Sequence, residues 1–165
     1  MARDSEKLVT LPLLDRLTDT EKGKVDNAMT RAQSIRLLKA ALRRDLEWLF
    51  NTRSNLDIPA NMSEVVQSVM NYGMPDYTHM SLANVGDRYR VQRQMELAIT
   101  MFEPRLSGVT VRLAGEEGSY EPGRAVRFHI DAMLKMDPAP EHISFDTVLD
   151  IPSGEYQVKG DSSAG

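Results

Sequence analysis

The sequence predicts an α+β fold, with N-terminal helices followed by an antiparallel sheet in a single domain. Two patterns carry this reading. Between Thr30 and Phe102 apolar residues recur at spacings of three and four, and from Ser107 onward the period drops to two. Size and composition agree: 165 residues with 41% apolar and 27% charged side chains suit one hydrophobic core rather than a disordered chain. No internal repeat or second domain is visible. The chain divides into an extended N-terminal docking segment (1–28), a folded domain (29–158) and a flexible tail (159–165).

Residues 1–30 are polar around one apolar island, LPLLDRL at 11–17, in which Leu13, Leu14 and Leu17 cluster. The island is too short to fold alone, so it docks on the domain or on a partner, and TDTEKGKVDN after it reads as an exposed linker. The first strong helix starts at Thr30, where TRAQ fits a capping box formed by Thr30 and Gln33. Ile35, Leu38, Leu42, Leu46 and Leu49 make its apolar stripe. Trp48, beside the stripe, is expected to be core or half-buried, and Arg43 and Glu47, four apart, to pair on the surface. NTRSNLDIPAN breaks this helix, and Asn61 or Ser63 is expected to cap a short second one reaching Met70. NYGMPDYT forces a turn at Gly73 and Pro75, with Tyr72 and Tyr77 packing the loop onto the core. A third helix runs from Leu82 or Asn84 to Phe102 and buries Val91, Met95, Ala98 and Phe102.

VTVRL (109–113) is the first strand, and GEEGSYEPG is a turn-rich connection. RAVRFHIDAMLKM is the clearest strand. Val126, Phe128, Ile130, Ala132, Leu134 and Met136 point one way, and Arg127, His129, Asp131 and Lys135 the other. One apolar and one polar face mark an antiparallel sheet with one side wet. After DPAPE, Ile143, Phe145, Thr147 and Leu149 share a face, and EYQVK extends this strand or adds another.

The net charge of −4 gives no electrostatic reason for nucleic acid or an anionic membrane as main partner. Without cysteine, disulfides, thiolate metal sites and cysteine nucleophiles are excluded. MARDSEKLVT carries charge but no apolar core, so no secretory signal is expected, and no apolar run approaches the roughly 20 residues of a membrane span. No P-loop, dinucleotide fingerprint, HExxH or GxSxG motif occurs, so no cofactor is expected. His79, His129 and His142 are scattered without ligand spacing, and no metal site is expected. Asp45, Glu47, Glu64 and Glu103 are the carboxylates that a glycosidase reading would nominate. With no supporting motif they read as solvated charges, and no catalytic residue is assigned.

Three stretches carry a resemblance. LLDRLTD (13–19), RRDLEWLFNTR through NYGMPDY (43–77) and FEPRL (102–106) are, in this order and spacing, similar to TssE, the baseplate subunit of type VI secretion systems. That family is related to the small lysozyme-like wedge protein of contractile phage tails. The resemblance covers roughly residues 11–150, so 29–158 reads as a TssE-like baseplate wedge domain. It implies a structural, non-enzymatic role in a contractile injection machine, at the baseplate on the cytoplasmic face of the inner membrane. Implied partners are TssF- and TssG-like wedge subunits and the TssB/TssC-like sheath subunits whose first ring it templates, with TssK- and spike-like components alongside. Nucleic acid and direct membrane insertion are not implied. The rival reading is a small peptidoglycan-cleaving, lysozyme-like enzyme.

Pro104 biases Glu103 away from the α region, so the third helix ends there and the segment is expected to run extended, with Glu103 and Arg105 on one side. Chemistry leaves two uses open: an internal tie between helix end and sheet, or a docking device. The resemblance implies the second, with Glu103, Pro104 and Arg105 held among the wedge subunits. Leu13, Leu14 and Leu17 are further expected partner contacts. A presented arginine predicts that Arg105→Ala costs no more than about 1–2 kcal/mol of stability. For the sheath, the last strands are expected to leave an edge open to an incoming strand, with Ile143, Phe145, Thr147, Val148 and Leu149 as the templating strand. Asp146, Asp150 and Glu155 would discourage casual pairing there.

Overall fold

The structure, a computed structural model, describes residues 12–18, 30–54, 58–59, 61–77, 80–82, 84–114 and 125–160. Helices α1 (Leu13–Leu17), α2 (Arg31–Asn51), α3 (Ser63–Val66) and α4 (Val85–Phe102) precede strands β1 (Leu106–Leu113), β2 (Ala125–Leu134), β3 (Glu141–Asp150) and β4 (Tyr156–Lys159). The strands form one antiparallel sheet in the order β1-β2-β3-β4. This is the α+β class that the change of period predicts. The linker from residue 19, His79, the GEEGSYEPG connection and the tail beyond Gly160 lie outside the described residues.

The start of α2 is the capping box read from TRAQ. Thr30 Oγ1 accepts from Gln33 N–H at 3.3 Å, and Gln33 Oε1 accepts from Thr30 N–H at 2.8 Å. Leu38, Leu42, Leu46 and Leu49 are buried, joined by Phe50, while Ile35 is only partly covered. Trp48 departs from expectation. It is 51% exposed with the Arg44 guanidinium over its ring at 4.9 Å, because Leu49 and Phe50 take the core-facing positions at this end of the helix. The Arg43–Glu47 surface pair is also absent, since Glu47 turns instead to the backbone of β4.

The second helix stops at Val66, well short of Met70. Ser68 starts a separate 3₁₀ turn (Val69–Asn71) by accepting from Met70 N–H at 3.3 Å. Neither Asn61 nor Ser63 caps α3; Met62 holds that position and makes no side-chain cap. Gly73 then takes φ +121°, which allows Met74 to pair with the chain leaving α2. Met74 N–H donates to Thr52 O at 2.8 Å, and Ser54 N–H donates to Met74 O at 2.9 Å. Tyr72 meets Phe102 edge-on, ring centroids 5.3 Å apart, and Tyr77 is buried, so this loop packs on the core as predicted.

α4 begins at Asn84, whose side chain accepts from Gly86 N–H at 2.9 Å. It buries Val91, Met95, Ala98 and Ile99 and half-buries Phe102. β1 starts at Leu106, earlier than the alternation suggests, because a bulge between Ser107 and Thr110 with Gly108 at φ +59° masks the period there. β2 alternates as read, and Val126, Phe128, Ile130, Ala132 and Leu134 face α2 and α4 together with Ile143, Phe145, Thr147 and Leu149 of β3. EYQVK is a separate strand, β4, which lies against α2, while β1 lies against α4.

Candidate functional site

Pro104 ends α4, but the segment does not run extended. Pro104 and Arg105 form a turn closed by Leu106 N–H donating to Glu103 C=O at 3.1 Å. The turn brings the Glu103 and Arg105 side chains together all the same. Arg105 Nε donates to Glu103 Oε1 at 2.6 Å, and its Nη2 donates to Glu103 Oε2 and, at 2.6 Å, to Asp45 Oδ2 on α2. Asp45 Oδ1 accepts from Arg44 Nη2 at 2.8 Å, and Arg44 continues to both carboxylate oxygens of Asp15 on α1. Asp15, Arg44, Asp45, Arg105 and Glu103 therefore alternate in sign along one chain of bonds. They come from LLDRLTD, RRDLEWLFNTR and FEPRL, three stretches far apart in sequence.

Burial opposes the charge on Arg105, but its bonds to Glu103 and Asp45 outweigh that and raise its pKa. At the outer end, the hydrogen bond from Arg44 holds the Asp15 carboxyl below its usual range. Glu103 is only 5% exposed, and Arg105 is the cation that pairs with its carboxylate there. The internal tie thus exists, made through the carboxylates of Glu103 and Asp45. Lys135 reinforces it, donating from Nζ to Pro104 O at 3.0 Å and from its backbone N–H to Arg105 O at 2.8 Å. Pro104 is exposed and Arg105 partly so, and Arg105 Nη1 has no partner among the described residues.

Leu13, Leu14 and Leu17 lie on one helical turn rather than an extended segment, and all three stand outside the core, 67%, 45% and 73% exposed. An unburied apolar set thus flanks the ion chain, the leucines through Asp15 and the indole through Arg44. Asp15, Arg44, Asp45 and Trp48 are the members that sequence reasoning did not assign to this site. The four-residue spacing of Arg44 and Trp48 on a helix was the available signal.

The sheet edges form the second candidate surface. β3 is paired with β2 along its length and with β4 only at Asp146–Leu149, so its second half is interior and its first half, Glu141–Phe145, has no β4 residue opposite. This corrects the expectation of an open edge at Thr147, Val148 and Leu149, whereas Ile143 and Phe145 have no β4 partner. Gly154, at φ +70°, lets the chain reverse after Asp150 and lay Tyr156–Lys159 alongside. The outer side of β4 is in turn occupied by side chains of α2. Asn51 Nδ2 donates to Tyr156 O and Asn51 Oδ1 accepts from Tyr156 N–H, both at 2.8 Å, and Glu47 Oε2 accepts from Val158 N–H at 3.3 Å. On the opposite edge Glu96 Oε1 accepts from Val111 N–H of β1 at 3.0 Å. Helix side chains thus guard β4 at Tyr156 and Val158 and β1 at Val111, one of the ways natural sheets blunt their edges.

The polar face of the sheet carries a histidine–carboxylate cluster. His129 Nδ1 lies 2.7 Å from Asp146 Oδ1 and its Nε2 3.4 Å from Asp131, which also meets His142 Nε2 at 3.3 Å. Among the described residues no group of three or more such side chains is arranged to hold a metal. The hydrogen bond to Asp146, opposed by partial burial and assisted by Asp131, raises the His129 pKa. A folded-state pKa above the unfolded value of about 6.5 makes the extra stability complete below that pH and removes it as pH rises through the folded pKa. Between about pH 6 and pH 8, the melting temperature is therefore expected to fall more for the parent than for His129→Gln. Equal slopes would contradict the pairing.

The family model described as baseplate wedge protein gp25 matches residues 36–139, more than half of the chain. The chain belongs to the gp25 family of baseplate wedge proteins. A comparison with curated proteins finds no match. As a gp25-family wedge protein it has a structural role in a baseplate and meets other baseplate components. The matched span contains α4, β1, β2, most of α2 and four of the five ion-chain residues, while Asp15, β3 and β4 lie outside it. No helix among the described residues is long and apolar enough to cross a membrane.

Proposed function

We propose that this gp25-family chain is the TssE-like wedge subunit of a type VI secretion baseplate, on the cytoplasmic face of the inner membrane. TssF- and TssG-like subunits hold it, TssK- and spike-like components lie nearby, and it templates a TssB/TssC-like sheath. The observation that carries this reading is the convergence of LLDRLTD, RRDLEWLFNTR and FEPRL on one ion chain. Glu103, Pro104 and Arg105 form the docking device, with the buried carboxylate aiming the arginine and Pro104 and Nη1 making the outward contact. Leu13, Leu14 and Leu17 add apolar anchors, each worth roughly 1.5–3 kcal/mol when fully buried by a partner. Removing residues 1–20 is expected to leave a folded domain by circular dichroism and to weaken co-purification with the wedge subunits. An unfolded truncation would assign the leucines to the core instead.

Sheath templating falls on β4, with Ile143, Phe145, Thr147, Val148 and Leu149 of β3 as the row behind it. An incoming strand replaces Asn51 and Glu47, which bond the Tyr156 and Val158 backbone as a neighbouring strand would. Asn51→Ala leaves an edge N–H and C=O without protein partners. It is expected to cost about 1–2 kcal/mol, to speed amide exchange at Tyr156, and to promote self-association of the isolated chain. Unchanged Tyr156 exchange would rule out the guard.

The peptidoglycan-cleaving alternative has weaker support. Asp45 and Glu103 are both bonded by Arg105, and Glu47 serves the β4 edge. Glu64 stands exposed on α3. The reading as a non-enzyme is tested by incubating the chain with purified cell wall; fragment release that is lost with one of these carboxylates would restore the enzymatic alternative.

A further inference from the structure

We infer that α1 is a releasable strap, held on the domain through Asp15 and governed by the far end of the ion chain, so that drawing Arg105 away from Asp45 opens it. Little apolar burial holds the strap shut. No residue of Leu13–Leu17 is buried, and its leucines stand outside the core cluster. Among the described residues, the only hydrogen bonds or ion pair from α1 to the rest of the chain are those between Arg44 and the Asp15 carboxylate. The helix has five residues, too few to persist in water without support. Detaching Asp15 therefore frees the element as a whole.

Arg44 is the shared link. Its Nη2 donates to Asp15 Oδ2 at 3.2 Å and to Asp45 Oδ1 at 2.8 Å, and its Nη1 completes the pair with Asp15. Two carboxylates thus compete for one guanidinium. Arg105 moderates the competition, because its Nη2 donates to the other oxygen of Asp45 at 2.6 Å. Removing Arg105 acts twice in the same direction. Asp45, left with one cation, draws Arg44 toward itself and repels Asp15, and the attraction of Arg105 for Asp15 is lost as well. The Asp15 carboxyl already registers that attraction: the Arg44 hydrogen bond first, and the charges of Arg44 and Arg105 after it, hold it below its usual range. The outer pair is open to solvent, with the Arg44 and Asp15 side chains 33% and 22% exposed, and such a pair is weak enough to be reversible.

A partner that takes Arg105 onto itself would free Leu13, Leu14 and Leu17 for capture by a neighbouring subunit. That order of docking rests on the wedge reading; the strap and its coupling to Arg105 do not.

The test uses the full chain with a nitroxide on Leu17→Cys. The sequence has no cysteine and one tryptophan, so the label is unique and the Trp48 indole N–H gives a single resonance. Arg44 lies over that indole at 4.9 Å, so a closed strap brings the label near it and broadens the peak. The readout is the ratio of indole peak heights with the nitroxide oxidised and reduced. For the parent the ratio is expected to rise at least about twofold between about 0.02 M and about 1 M NaCl, as screening opens the strap. Asp15→Asn is expected to show the high ratio at both concentrations. At low salt the Glu103→Leu, Arg105→Met variant is expected to exceed the parent by about twofold or more. Asp45→Asn is expected to fall below the parent, because it keeps an acceptor oxygen for Arg44 and removes the competing charge. Opposite shifts separate coupling along the ion chain from general loosening, and the reduced spectra report whether each variant is folded. Should the double variant unfold, the Asp45→Asn shift alone decides. A salt-independent ratio in the parent, a folded double variant that matches the parent, or opening by Asp45→Asn would each overturn the proposal. Since the isolated chain is used, failure here would leave the wedge reading untouched.

Discussion

Arg105→Ala is expected to cost the fold roughly 2–4 kcal/mol and to abolish incorporation into the baseplate, because it leaves the buried Glu103 carboxylate without its cation. This exceeds the 1–2 kcal/mol or less expected of a freely presented arginine. Asp45 loses its bond to α4–β1 at the same time, so α2 is no longer tied to the turn before β1. Lysine is expected to recover part of the stability and little of the incorporation, since a point charge cannot serve both oxygens of Glu103 and Asp45 together. Urea unfolding reads the first effect, and co-purification with the wedge subunits reads the second. The double variant Glu103→Leu, Arg105→Met separates them. Replacing the pair by apolar side chains is expected to restore stability without restoring incorporation. If it restores both, the ion chain is only an internal tie.

Gly73→Ala is expected to be at least as severe for the fold. A Cβ at this position would lie 2.4 Å from Thr52 O and 2.8 Å from Thr52 C, and φ is +121°. Those are backbone atoms, so relief requires breaking the Met74–Thr52 hydrogen bond that closes the loop. Strain and the lost contact together give an expected destabilisation of about 3 kcal/mol or more. Tyr72 against Phe102 and Tyr77 in the core depend on the same loop, so the near-ultraviolet circular dichroism of the tyrosines should weaken in a partly folded variant. A loss under about 1 kcal/mol would mean that the loop can move away from α2 without consequence.

Local features were legible in the sequence, and long-range partners were not. Thr30 and Gln33 sit three residues apart and cap α2 as read, and the β2 alternation names its buried face correctly. Periodicity says which face a residue takes, not which neighbour it meets. Adjacency to the leucine stripe predicts a core or half-buried Trp48, yet Phe50 fills that space and Arg44 covers the indole from outside. Arg105 and Asp45 are 60 residues apart, and Asn51 and Tyr156 are 105 apart, so neither the ion chain nor the guarded edge has a local signature. The β1 bulge and the break between α3 and the 3₁₀ turn were hidden for the opposite reason. Each is one or two residues of irregularity inside a pattern that otherwise continues.

The most direct test of the structural-wedge reading is co-purification of the tagged, full-length chain with TssF- and TssG-like subunits expressed beside it. A complex that survives size exclusion with the parent, and is lost with the stably folded Glu103→Leu, Arg105→Met variant, is the expected result. A folded parent chain that elutes alone, with no wedge subunit bound, would contradict it.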